Sequence, residues 1–133
     1  MKKILVIEDN ELIRANIVEL LLEQDFNVID AKDGLIGVRL AQEEMPDLIV
    51  CDVMMPGLDG YGVLKALRQN PATQTTPFIF LTALDERADT RKGMELGADD
   101  FLIKPCKPDE LLKAIATRLA KQRAIAQHFT TVF

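Results

Sequence analysis

Short β-rich runs alternate with longer stretches of helical spacing along this chain, and that alternation constrains its fold more than any other feature. The runs are Ile4–Ile7, Val28–Ile29, Leu48–Cys51, Phe78–Leu81 and Phe101–Ile103. Between the first two, Ile13, Ile17, Leu20 and Leu21 recur at the spacing of one helix face. Gly37, Val38 and Ala41 mark a second, small-residue face that Pro46 stops, and Gly60, Leu64 and Leu67 mark a third that ends at Asn70-Pro71. A fourth helix is expected from about Asp85 to Leu96, with Ala88, Met94 and Leu96 inward and Gly97 as C-cap. The fifth starts near Pro108-Asp109-Glu110, residues suited to a first helical turn, and turns Leu111, Leu112, Ile115 and Leu119 inward.

A (βα)5 order of this kind implies a parallel sheet covered on both faces. The first, third and fourth runs are apolar almost throughout and belong at the centre. The second, Asn27–Ala31, is more polar and suits an edge. Right-handed crossovers then favour an α/β fold with a doubly wound, flavodoxin-like sheet of order 2-1-3-4-5. In an open sheet of this type, ligands bind beyond the carboxyl ends of the strands, near the switch point between the first and third.

With 133 residues, 48% apolar and 28% charged, the chain suits one globular domain. A net charge of −5 argues against a nucleic-acid-binding surface. No apolar run is long enough to span a bilayer, and Ile4–Ile7, cut short by Glu8 and Asp9, is too brief for a secretory signal. A cytoplasmic protein with no membrane partner is expected. Cys51 and Cys106 lack metal-ligand spacing, and His128, the only histidine, has no partner from which to build a site.

The strand ends carry the chemistry. Glu8, Asp9 and Asn10 follow the first strand, Asp52 the third, Thr82 closes the fourth and Lys104 follows the fifth. Singly, each has an ordinary role as a cap or a solvated end, and Asn10 fits an N-cap. Together they gather three carboxylates against one lysine, an arrangement that repels itself unless a cation is present. Mg²⁺ suits a site with few carboxylates and several waters. Metal plus lysine would neutralise the oxygens of a transferred phosphoryl group, with Asp52 as its nucleophilic acceptor.

The segments "ILVIEDN", "LIVCDVMMPGLDGYGVL", "PFIFLTA" and "GADDFLIKP" resemble the receiver (response regulator) domain of two-component signalling, the CheY-like family. The resemblance covers residues 1–120, leaving 121–133 as a helical extension or linker. It implies that Asp52 accepts a phosphoryl group from a sensor histidine kinase or phosphotransfer protein, and that the protein catalyses only its own phosphorylation and slow dephosphorylation. It implies Mg²⁺ held by Asp9 and Asp52, by Glu8 mainly through water, and by the Met54 main-chain carbonyl. Lys104 and Thr82 would contact the phosphoryl oxygens, and Phe101, a phenylalanine where the family often has tyrosine, would follow Thr82 inward. The Lys104-Pro105 bond is expected to be cis. Output would pass through the α4-β5-α5 face to a downstream protein or output domain, or to a homodimer. Met54 and Leu84 occupy the two variable positions that flank the path of a hydrolytic water, and as apolar side chains they would slow dephosphorylation. On residue chemistry alone Gly57 and Gly60 are turn glycines, and Phe101 an ordinary core aromatic.

Three other readings fit the residues less well. An Asp-nucleophile, Mg²⁺-dependent phosphatase of the haloacid-dehalogenase type needs an acid two residues beyond Asp52, where Met54 stands. A nucleotide-binding module lacks a glycine-rich phosphate loop. A degenerate receiver that only binds partners is disfavoured by the full set Glu8, Asp9, Asp52, Thr82 and Lys104. The positions Leu112, Ile115, Leu119, Gln122, Ala126 and Phe129 form a short heptad-like seam that continues past Arg118. A stand-alone regulator and a piece of a longer protein both remain open on this reading.

Overall fold

The computed structural model describes residues 1–83 and 87–132, with side chains over 1–83 and 91–124. The elements are β1 (Lys3–Ile7), α1 (Glu11–Glu23), β2 (Asn27–Ala31), α2 (Gly34–Glu44), β3 (Leu48–Cys51), α3 (Gly60–Arg68), β4 (Phe78–Thr82), α4 (Arg87–Glu95), β5 (Asp100–Ile103) and α5 (Pro108–Val132). The strands form one parallel sheet in the order β2-β1-β3-β4-β5, as the sequence predicts.

Strand alternation divides the core into two layers. Leu5, Ile7, Ile49, Cys51, Phe78 and Phe80 pack against α2 and α3 through Ala41, Val63, Leu64 and Leu67. Ile4, Val6, Leu48, Val50, Ile79 and Leu81 pack on the other face against α1 and α5 through Ile17, Leu21, Leu111, Ile115 and Leu119. β1, β3 and β4 are buried on both faces, which explains their continuous apolar runs, while β2 at the edge keeps exposed polar positions.

Short polar side chains start the first three helices. Asn10, Asp33 and Asp59 accept from the amides of Ile13, Ile36 and Gly62. α2 stops at Met45, which takes the left-handed conformation before Pro46. Gly97, with φ of 100°, ends α4: its amide reaches the Met94 carbonyl and the Ala98 amide the Gly93 carbonyl. These two bonds make a Schellman cap.

α4 corrects one expectation. Met94 is 47% exposed, and among the described side chains of α4 the buried residue is Gly93. Gly93 and the half-buried Leu96 lie about one turn apart on one face, so a side chain one residue after Gly93 rotates out toward solvent. Ala88 and the expected start at Asp85 lie outside the described residues or side chains. In α5, Ala114 joins the predicted inward residues and Leu112 is only half-buried. Of the seam, Leu119 is buried and Gln122 exposed, while Ala126 and Phe129, like His128, lie outside the described side chains. No described helix is long and apolar enough to cross a membrane.

Candidate functional site

β1 and β3 are neighbours, so the residues just past their ends share one corner of the sheet edge. Glu8, Asp9 and Asp52 each place a carboxylate oxygen within 4.8 Å of the others. Glu8 and Asp52 are buried and Asp9 is exposed, so the cluster opens to solvent on one side. β5 lies two strands from β3 across β4, yet the Lys104 side chain comes back over the site. Its ammonium pairs with Glu8 Oε1 and lies 3.5 Å from Asp52 Oδ2. Lys104 is therefore not a solvated strand end.

Among the described residues, Lys104 is the cation paired with this cluster of three carboxylates, which leaves it short of positive charge. Glu8 is 2% exposed. Burial, with a further push from Asp52, holds its carboxyl above the usual glutamate range, although Lys104 and the Asn10 amide pull the other way. The donor set is all oxygen with one open side, which suits a hard divalent cation such as Mg²⁺.

Asp52 is fixed by its backbone as well as its partners. Its amide donates to the Ile7 carbonyl at 3.0 Å, and its Oδ1 accepts from the Val53 amide at 2.8 Å. The α3 cap is Asp59, so capping a helix does not explain Asp52. Gly60 is required for packing: a Cβ there would lie 2.2 Å from the Asp52 carbonyl oxygen. Gly57 is required for conformation, at φ of 75° with open space around it. Burial pushes the Cys51 thiol well up, so this neighbour of Asp52 is an inert strand residue.

Thr82 is buried at the end of β4, next to β3. Phe101 pairs in register with Phe80 across β4 and β5, their ring centroids 5.6 Å apart, and it is only half-buried. Met54 is 63% exposed on the loop after Asp52. Leu84 lies outside the described residues. The Lys104-Pro105 bond is cis. Sequence reading passed over Arg14, whose guanidinium reaches the Glu8 carbonyl and Asp30. The available signal was a basic residue beside the apolar stripe of α1, between Ile13 and Ile17.

Residues 4–116 match the response regulator receiver domain family. The chain belongs to that family. Among curated relatives, a probable transcriptional regulator of Guillardia theta is 40% identical over 133 residues, covering 98% of this chain and 51% of its own. The alkaline phosphatase synthesis transcriptional regulatory protein PhoP of Bacillus subtilis is 46% identical over 120 residues, covering 88% of this chain and 49% of its own. This receiver chain thus spans about half the length of these relatives. The receiver domain of a sensor histidine kinase from Pseudomonas aeruginosa superposes with a TM-score of 0.83 at 30% identity, over 90% of this chain and 98% of that one. That structure carries a magnesium ion in its active-site cleft.

Receiver domains of two-component response regulators are signalling modules rather than classical enzymes, work with histidine kinases and output domains, and bind Mg²⁺ at an acidic site. The strand order found here is that of the CheY-like, flavodoxin-like fold.

Proposed function

We propose that this receiver takes a phosphoryl group from a histidine kinase or phosphotransfer protein onto Asp52, and signals through its α4-β5-α5 face. The observation that carries this reading is the buried Asp52 carboxylate, clustered with Glu8 and Asp9 and lying 3.5 Å from the Lys104 ammonium. An Asp52 oxygen attacks phosphorus in line. The O–P bond forms as the N–P bond to the donor imidazole breaks, and that bond's electron pair leaves with the nitrogen. Lys104 neutralises charge on the phosphoryl oxygens, and Thr82 donates a hydrogen bond to them.

Asp9, Asp52 and the Met54 carbonyl would hold Mg²⁺, with Glu8 acting through water. The bound ion supplies positive charge where the transferred group carries negative charge. Phe101 then settles inward behind Thr82 and alters the α4-β5-α5 face for a downstream protein, an output domain or a second copy. Residues 1–120 form the receiver and 121–133 a helical extension or linker. The acidic net charge supports a chain that itself contacts no nucleic acid, and the reading places it in the cytoplasm with its kinase's phosphodonor domain.

Incubation with a small-molecule phosphodonor and Mg²⁺, read by intact mass, tests the assignment. Wild type should gain one phosphoryl group and Asp52→Asn none. Equal labelling of both would place the acceptor elsewhere.

A further inference from the structure

Glu8 is held at four points. Its amide donates to the Ala31 carbonyl at 3.1 Å, its Oε2 accepts from the Asn10 amide at 3.1 Å, and its Oε1 pairs with Lys104. The fourth point is its carbonyl, which accepts from Arg14 Nη1 at 2.8 Å. The same guanidinium donates through Nε to Asp30 Oδ2 at 3.0 Å. Edge strand β2 therefore grips the exit of β1 twice, directly through Ala31 and through Asp30 by way of Arg14.

The Arg14 side chain is 15% exposed, with Asp30 on its outer side. Its position is not that of a solvated surface charge. A planar fork bridges two acceptors on different elements in one geometry, which a lysine ammonium does not reproduce. Without Arg14 the carbonyl of a buried residue loses a charge-assisted bond at the point where the chain turns from Glu8 into Asp9.

We propose that Arg14 is a positioning residue for the acidic site, fixing the Glu8–Asp9 turn so that both carboxylates stay directed at the corner they share with Asp52. The proposal rests on the reading of that corner as a Mg²⁺ site. It makes the α1–β2 edge part of the site's construction, although neither Arg14 nor Asp30 touches the ion or the phosphoryl group.

Mg²⁺ titration by calorimetry, well below every variant's melting temperature, separates positioning from bulk stability. Arg14→Met should weaken Mg²⁺ binding by about tenfold, the lower end of what outer-shell changes do at metal sites. Arg14→Lys should recover only part of that, because it restores charge without the fork. Asp30→Asn, at a half-exposed side chain, should weaken binding by about threefold in the same direction, and decides the question should Arg14→Met not fold. Ile115→Val, in the α5 core, should lower the melting temperature and leave Mg²⁺ affinity alone. Wild-type affinity in Arg14→Met and Asp30→Asn, or full recovery in Arg14→Lys, overturns the proposal. A wild type with no Mg²⁺ transition overturns the metal-site reading itself, which is recognisable because no variant then has a baseline to depart from.

Discussion

Three carboxylates within reach of one another are a liability to the empty fold and an asset to one that binds a cation. Removing one charge should therefore help the metal-free protein. Asp9→Asn and Asp52→Asn are each expected to raise the melting temperature in chelator, by relieving like-charge repulsion. Unchanged melts for both variants would contradict a strained acidic corner. On the proposed function, Met54 and Leu84 would bear on the next step, loss of the phosphoryl group. Neither can orient a water, so Met54→Asn combined with Leu84→Glu should speed dephosphorylation in Mg²⁺, as positioning a water is a large part of that catalysis. Equal decay of the double variant and wild type would show that these side chains do not gate the water. The carboxylates were legible in the sequence because strand ends can be located by where an apolar run meets a charge, as at Ile7-Glu8 and Cys51-Asp52. Arg14 was not, because its partners, a carbonyl of β1 and a carboxylate of β2, are joined only by the register of the folded sheet.

At the scale of elements, α4 meets the sheet through Gly93 among its described side chains. Gly93 meets the aromatic row: a Cβ there would stand 3.0 Å and 3.1 Å from Phe80 and 3.3 Å from Phe101. Phe80 cannot give, being fully buried edge-on to Tyr61 and Phe78. Lys92, one residue earlier, sits 4.6 Å over the Tyr61 ring. At the far end Arg68 donates to the Gly97 carbonyl at 2.8 Å and the Thr76 carbonyl at 2.7 Å, pinning the α4 C-terminus to α3 and its following loop. Gly93→Ala sets an overpacking penalty of about 1–3 kcal/mol against a helix-propensity gain of about 1 kcal/mol. The net should be a small loss of stability, with amide exchange rising in α4 and not in α1. Uniform exchange across the fold would mean that Gly93 does not seat the helix. Gly97 marks the end of α4 in the sequence, but of the expected inward residues Ala88, Met94 and Leu96, Met94 faces solvent; a hydrophobicity pattern rewards size and so misplaced it. Among the described residues of α4, the one in contact with the aromatic row has no side chain.

At the scale of the molecule, Glu8 links the site to stability. Its folded carboxyl lies above the ordinary value of 4.5, so the fold favours the protonated form. That contribution is complete below 4.5 and is lost as pH rises through the raised folded value. Metal-free wild type should therefore lose stability over that window, and Glu8→Gln should show a shallower loss in chelator melts. A steeper loss in the variant would reverse the sign. The (βα)5 order and the strand order were legible in advance, since buried parallel strands read as continuous apolar runs and the polar β2 marks the edge. Which copy or partner would meet the proposed α4-β5-α5 output face is a property of a second molecule and leaves no such pattern. Light scattering with beryllofluoride and Mg²⁺ should show a change in mass or shape, and identical profiles would rule out phosphorylation-driven self-association.

The most direct test joins the metal to the acceptor in one experiment. Wild type, Asp52→Asn and Lys104→Met are incubated with a small-molecule phosphodonor, with Mg²⁺ or with chelator, and intact mass is followed over time. Wild type should gain one phosphoryl group only with Mg²⁺, Asp52→Asn should gain none under any condition, and Lys104→Met should gain it more slowly. Labelling of Asp52→Asn at the wild-type rate, or of wild type equally well in chelator, would contradict a Mg²⁺-dependent phosphoacceptor at Asp52.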